Sequence, residues 1–333
     1  MDTPSIAFFD AKNYDKESFN EINKQFGFNI KYFKYHLTED NAILAKGFDV
    51  VVVFVNDIIT SNTINKLFDF GIRLIALRCS GFNNVDLEAA KNKIDIVRVP
   101  AYSPHAIAEH TVALMLTLNR KIHRAYFRTR DANFALHGLL GFACIKKTAG
   151  IIGTGRIGKA LASILLGFKM RVLAYDPFPD REFEKLTGIC YTAADEIFEQ
   201  SDVISLNCPL TPETEYIVNK ANIAKMKAGV MIINTGRGKL INTRDLIWGL
   251  KSARIGSAGL DVYEEESNYF FEDMSDQVLN DDVLARLLTF NNVIITSHQG
   301  FFTKEALSNI AETTLENIKD FFGDRSMPNR VGN

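Results

Sequence analysis

Six residues of the chain, Gly153-Thr-Gly155-Arg156-Ile157-Gly158, have the spacing GxGxxG. The stretch before them, residues 149–152, is apolar and strand-like, and residues 159–166 read as a helix. A second strand-like run, residues 171–175, ends in Asp176. This strand–turn–helix–strand–acid order is what a dinucleotide's pyrophosphate requires. The first glycine permits a tight turn, the second leaves the phosphates unobstructed, and the third lets the helix pack on the strand. The phosphates would then rest on unpaired N–H groups at the helix N-terminus, flanked by Arg156 and Ile157. Asp176 would accept both ribose hydroxyls of NAD and repel the extra phosphate of NADP. Arg171 and Arg181 lie on either side of this strand, and neither adjoins the acid.

Two further residues stand where apolar runs end. His298 follows residues 293–296, and Arg237 follows residues 230–234 between Gly236 and Gly238. An imidazole titrates close to neutral pH and can give or take a proton. A guanidinium presents a planar fork that matches a carboxylate. Three consecutive glutamates, Glu264, Glu265 and Glu266, offer a carboxylate, and spacing alone does not choose among them.

These groups need a scaffold that ends several strands on one side. Residues 6–9, 30–33, 50–55, 74–77 and 94–99 read as strands, with helices such as 62–70 and 86–92 between them. Continuous apolar strands alternating with helices predict a parallel sheet covered on both faces. A long helical pattern starts at Pro104 and runs through Ile107, Val112, Leu114, Met115 and Leu118 to Ile122. A polar-aromatic excursion, residues 123–147, follows it, long enough to be an arm or a subunit contact. A second alternating series has strands at 149–152, 171–175, 203–206, 230–233, 255–260 and 293–296, the number expected of a Rossmann sheet. The last pattern, residues 303–322, is an amphipathic helix with Ala306, Ile310, Leu315, Ile318 and Phe321 on its apolar face. It is too little for a domain and is expected to pack back on the first unit.

The whole has 333 residues, which favours two domains. Thirty-eight basic residues against 40 acidic ones give a net charge of −2. That disfavours a nucleic-acid binder or a polybasic membrane-surface protein. No stretch is apolar over the roughly 18 residues of a spanning helix. The segment Met1-Asp2-Thr3-Pro4 shows no signal-peptide pattern. Cys79, Cys144, Cys190 and Cys208 are far apart and form no CxxC, so neither a disulfide framework nor a metal site is indicated, and a reducing cytoplasm is expected.

Taken together, the motifs resemble the D-isomer-specific 2-hydroxyacid dehydrogenases, above all their D-lactate-forming members. The motifs run over the full length: Arg78-Cys-Ser-Gly-Phe-Asn-Asn-Val-Asp86, Val99-Pro-Ala-Tyr-Ser-Pro104, the glycine motif, and Asn207-Cys-Pro-Leu-Thr-Pro212. Asn234-Thr-Gly-Arg-Gly238, Asp261-Val-Tyr-Glu-Glu-Glu266 and Ser297-His-Gln299 complete them. The resemblance implies two doubly wound parallel-sheet domains with a cleft between them. Residues 1–100 with 300–333 would form a flavodoxin-like substrate domain, and 101–299 a Rossmann domain for NAD.

The resemblance also implies roles. Arg237 would hold the 2-keto acid and polarise its carbonyl, and His298 would protonate the new alkoxide. The family register selects Glu266 as the histidine's partner, fixing the imidazole and favouring its charged form. Tyr102 and the backbone N–H groups of Ser80 and Gly81 would bind the substrate carboxylate. Cys208 and Pro209 would lie along the coenzyme, Thr235 and Gly236 at its nicotinamide end, and Asp261 at its carboxamide. Thr214 departs from the asparagine frequent in relatives, and its shorter reach weakens the expected contact. Phe54, Tyr102 and Phe301 could fence the substrate's side chain closely enough to favour pyruvate. The alternatives are a larger keto acid, such as 2-ketoisocaproate or 4-hydroxyphenylpyruvate, and an NAD-sensing binding protein like the C-terminal-binding-protein corepressors. Against the latter stand the lack of a long disordered tail and the lactate-type stretch 261–282. The resemblance further implies a homodimer or homotetramer built through the NAD-binding domain.

Overall fold

The computed structural model describes residues 3–266 and 269–332. Met1 and Asp2 of the N-terminal segment, and Ser267 and Asn268 of the 261–282 stretch, lie outside the described residues. The chain divides into two compact units, Met1–Ser103 with Phe301–Asn333, and Pro104–Gly300.

In the first unit, β1 (Ser5–Phe8), β2 (Asn29–Tyr32), β3 (Val50–Val53), β4 (Leu74–Leu77) and β5 (Asp95–Val97) are parallel in the order β2-β1-β3-β4-β5. This is the flavodoxin-like order. The four consecutive valines of β3 are fully buried, as a strand covered on both faces requires. The helix α1 (Asn13–Asn23), which no sequence pattern singled out, buries only Asp15 and Phe19. Helix α2 (Ser61–Asp69) begins where the Thr60 hydroxyl caps the Thr63 amide, and the short α3 (Leu87–Ala90) where Asp86 caps Ala89.

The end of the chain returns to this unit. Thr303 caps the C-terminal helix, Lys304–Phe322, which packs on α1 and β4. Four of its expected core residues, Ala306, Ile310, Leu315 and Ile318, are buried. Phe321 is only half-buried, with the Arg73 guanidinium over its ring. A closing strand, Arg330–Val331, then pairs antiparallel with β5.

In the second unit, α4 (Pro104–Arg120) stops short of Ile122 because Lys121 turns left-handed at φ 50°. Residues 123–147 accordingly start inside a separate helix, α5 (Ile122–Arg130). The sheet is built from β6 (Thr148–Ile152), β7 (Arg171–Tyr175), β8 (Cys190–Tyr191), β9 (Val203–Leu206), β10 (Val230–Asn234), β11 (Ile255–Leu260) and β12 (Val293–Ile295). These strands are parallel, in the order β12-β11-β10-β9-β6-β7-β8. Strand β8, two residues long, carries too little pattern to read in sequence. The order reverses between β6 and β9, and ligands of such sheets bind at the carboxyl ends of the strands on either side. Helix α4 packs on α6 (Arg156–Gly167), and their Met115, Leu118, Leu161 and Leu165 join one apolar layer of this unit. Among the described residues no helix is long and apolar enough to cross a membrane.

Candidate active site

At the reversal point the glycine motif takes up its tasks. Gly153 sits at φ +93°, and a Cβ there would lie 2.5 Å from the Cys208 backbone nitrogen. Both reasons restrict the position to glycine. A Cβ on Gly158 would lie 2.0 Å from the Gly153 carbonyl oxygen. At Gly155 nothing stands within 4 Å of a Cβ, and no side chain caps α6 there. The helix therefore presents its first N–H groups, with Arg156 and Ile157, to open space, which suits a pyrophosphate. Asp176 Oδ2 accepts from the Thr154 amide at 2.7 Å and hydroxyl at 3.0 Å, and Oδ1 from the Phe178 amide at 2.9 Å. The Tyr191 hydroxyl donates to Thr154 in turn. The acid is thus aimed by Thr154 and Tyr191, neither of which the motif reading named.

Cys208 is buried, and burial pushes its thiol up to about 11, so it stays protonated and inert. The neighbouring Pro209 is exposed, and its carbonyl accepts from the Thr214 hydroxyl at 2.7 Å. That hydroxyl also accepts from the Thr211 amide. Thr214 therefore closes its own turn with the single proton it has to give.

The three groups expected to do chemistry all lie on loops of the second unit. Arg237 follows β10, where the buried Asn234 side chain accepts from the Gly236 amide and donates to the Arg237 carbonyl. The guanidinium donates to the Gly236 carbonyl, and among the described residues no carboxylate pairs with it. Thr235, buried beside it, exchanges a hydrogen bond with Thr111 of α4 at 2.9 Å. Gly238 lets this loop rest on the next: a Cβ there would lie 2.1 Å from the Tyr263 carbonyl.

From that next loop, Glu266 Oε1 lies 3.0 Å from His298 Nδ1, while Oε2 accepts from the Tyr263 amide at 3.0 Å. Glu264 accepts from the Thr243 amide instead. The geometry so distinguishes members of a run that spacing left equivalent. His298 is itself left-handed, at φ 52°. Asp261, 1% exposed, supports that turn. Its carboxylate accepts from the Thr296 hydroxyl and from the Gln299 and Gly300 amides, with His110 Nε2 at 3.2 Å, and its carbonyl accepts from the His298 amide. Burial raises its carboxyl, but the hydrogen bonds from His110, Thr296 and Gly300 outweigh that and leave it below the usual range. Four donors are about all a carboxylate accepts. In this structure Asp261 holds the His298 turn.

In the first unit, the amides of Ser80 and Gly81, just past β4, have no acceptor among the described residues. Phe54, Tyr102 and Phe301 come together there. The Phe301 ring is 6.5 Å from Phe54 and 5.9 Å from Tyr102, and Asn309 of the C-terminal helix donates to the Tyr102 carbonyl.

Residues 112–300 match the sequence profile described as "D-isomer specific 2-hydroxyacid dehydrogenase, NAD binding domain". The D-lactate dehydrogenase of Escherichia coli (strain K12) is 50% identical over 327 residues, 98% of this chain and 99% of that one. The chain belongs to the D-isomer-specific 2-hydroxyacid dehydrogenase family. Its coenzyme is NAD, and its substrates are small molecules. A structure described as the pyruvate reductase of Chlamydomonas reinhardtii superposes with a TM-score of 0.94 at 42% identity, covering 98% of both chains. One of a D-lactate dehydrogenase with NAD+ from Lactobacillus jensenii gives 0.84 at 32%, covering 98% of this chain and 99% of that one.

As a 2-hydroxyacid dehydrogenase the chain shows which supports its motifs conceal. Asn234, Thr154, His110 and Thr296 each orient a residue named from sequence, and none carried a signal alone. His110 had one clue: it is a polar ring on a helix whose neighbours Ala108, Thr111 and Val112 are buried.

Proposed function

We propose that this dehydrogenase is an NAD-dependent D-lactate dehydrogenase that interconverts pyruvate and D-lactate. The observation that carries the reading is the pairing of His298 with Glu266 beside a loop whose arginine has no carboxylate partner among the described residues. Bound NADH would supply the hydride. Gly153, Gly155 and Gly158 would admit its pyrophosphate to the α6 N-terminus, with Arg156 and Ile157 alongside, and Asp176 would take the ribose. Cys208, Pro209, Thr235 and Gly236 would line its course, with Thr214 confined to shaping the 209–214 turn.

Arg237 would grip the keto acid by carboxylate and carbonyl, drawing electron density onto the oxygen where charge develops. His298 Nε2 would give its proton to that oxygen, and Glu266 on Nδ1 would keep the ring oriented and stabilise its charged form beforehand. In lactate oxidation the same nitrogen would take the proton back. The unengaged amides of Ser80 and Gly81, with Tyr102, would add carboxylate contacts, and Phe54 and Phe301 would leave room for a methyl group.

The working form would be a homodimer or homotetramer through the NAD-binding domain, in the cytoplasm, turning pyruvate to lactate in fermentation. Ile122, Tyr126, Phe127, Phe134, Leu136 and Leu140, each more than half exposed in one stretch, support that surface.

Loss of NADH absorbance across pyruvate, 2-ketoisocaproate, phenylpyruvate and 4-hydroxyphenylpyruvate tests the reading, followed by NAD reduction with D- and L-lactate. Preference for pyruvate and for D-lactate is expected. Preference for a larger acid would keep the chemistry and discard the substrate, and NADH binding without turnover would discard both.

A further inference from the structure

Beneath Phe54 the core of the first unit is charged. Arg78 is 2% exposed, Asp15 2%, and Asp10 and Asp57 are fully buried. The Arg78 guanidinium lies flat enough to approach the Phe54 ring centroid to 3.9 Å, with the Phe8 ring 5.5 Å away on another side. It is held there by Asp15, 3.1 Å from Nη1, and by donation from Nη2 to the Asp10 carbonyl at 2.9 Å. Asp57 accepts from the Phe54 amide with one carboxylate oxygen and from the Leu37 amide with the other. Asn84 donates to the Phe54 carbonyl at 2.8 Å and to that of Asp57 at 2.9 Å. One phenylalanine therefore has its ring, its amide and its carbonyl each engaged by a different polar side chain.

Such an arrangement is an expensive way to fill a core. Burying charge costs free energy that well-packed apolar side chains of the same volume do not incur. What it adds is direction. An apolar socket lets a ring slide, whereas a guanidinium plate on its face and a carboxylate on its amide admit one position.

We propose that Arg78 and Asp57 are positioning residues that fix Phe54 and so set the size of substrate side chain this enzyme accepts. The proposal rests on reading Phe54 as part of the substrate wall. Arg78 and Asp57 touch neither substrate nor coenzyme in this account. Their effect is on the freedom of the ring, and hence on discrimination between keto acids rather than on proton or hydride transfer.

The test compares kcat/KM for pyruvate and 2-ketoisocaproate in the full-length enzyme and in Asp57→Asn, Arg78→Lys and Phe54→Ala variants. Asparagine keeps one acceptor but turns a donor toward the second amide. Lysine keeps the charge but loses the plate. Each is expected to lower the preference for pyruvate by about tenfold, the scale on which an apolar pocket discriminates. The loss should appear mainly in KM for pyruvate, with the NADH dissociation constant unchanged. Combining Asp57→Asn with Phe54→Ala should shift the preference no further than Phe54→Ala alone. An unchanged preference in Asp57→Asn and Arg78→Lys, with Phe54→Ala altered, would overturn the proposal and leave the wall intact. No change in any variant would show that Phe54 does not face the substrate, and both readings would fall. Asp57→Asn removes a costly buried charge, so it provides the test even where Arg78→Lys folds poorly.

Discussion

His298 and Glu266 form a pair in which each member has a second restraint, the ring turn on Asp261 and the carboxylate on the Tyr263 amide. His298→Asn should therefore lower kcat for pyruvate reduction by about 10²–10⁴-fold, the usual worth of a positioned acid, while NADH titrated by fluorescence binds as before. Glu266→Gln should cost less, because the amide keeps a hydrogen bond to the ring but not the charge. A loss as large as that of His298→Asn would mean that Glu266 itself handles the proton. Asp57 makes a prediction about stability. Burial pushes its carboxyl up to about 7, against the opposing pull of the Phe54 and Leu37 amides, with Asp10 raising and Arg78 lowering it further. The folded state so takes up a proton that the unfolded chain releases above about pH 4. The stabilisation from this group is complete below that point and is lost as pH rises through 7. Urea unfolding of Asp57→Asn from pH 4 to 8 should show a flatter profile than the parent, with the variant no less stable at pH 8. A parallel pair of profiles would place the ionisation elsewhere.

The turn from β6 into α6 separates two kinds of glycine. Gly155→Ala adds a methyl to open space, so its melting temperature should stay within about 2 °C of the parent, while the NADH dissociation constant rises at least about tenfold if the phosphates lie there. Gly158→Ala drives a methyl into the Gly153 carbonyl and should destabilise the protein itself, read by calorimetry. Equal melting temperatures in the two variants would contradict the packing described. This turn was legible in sequence because three glycines, an apolar strand and a distal acid are local features with fixed spacing. The main strands were legible for the same reason, being continuous β-branched runs. What sequence did not disclose is support from afar. His110 reaches Asp261 from about 150 positions away, and Asn84 reaches Phe54 across a strand and a helix. Such contacts leave no periodicity. Glu266 is the intermediate case: the family register named it, and the structure puts it against His298 while Glu264 turns to the Thr243 amide. Asp261 was named as well, and its hold on the His298 turn is a contact that no spacing announces. Short elements failed for want of length, as β8 did, and α4 ended early because nothing in Lys121 announces a positive φ.

At the scale of the molecule, the apolar side chains exposed along residues 122–140 belong to one unit and have no cover within it. Phe134→Glu with Leu136→Glu should lower the mass measured by light scattering if copies of the chain meet there, and leave the circular dichroism unchanged. An unchanged mass would place any assembly on another face. The order of the chain has a further consequence. The first unit takes its sheet from the first hundred residues, but the helix on β4 and the strand beside β5 come from the last thirty-three. A ribosome adding roughly 5–20 residues each second needs about 10–40 s to make the contiguous second unit in between. Throughout that interval β4 waits without its covering helix, and the edge of β5 without its partner, while the second unit has everything it needs to fold. The part made first is thus the part finished last.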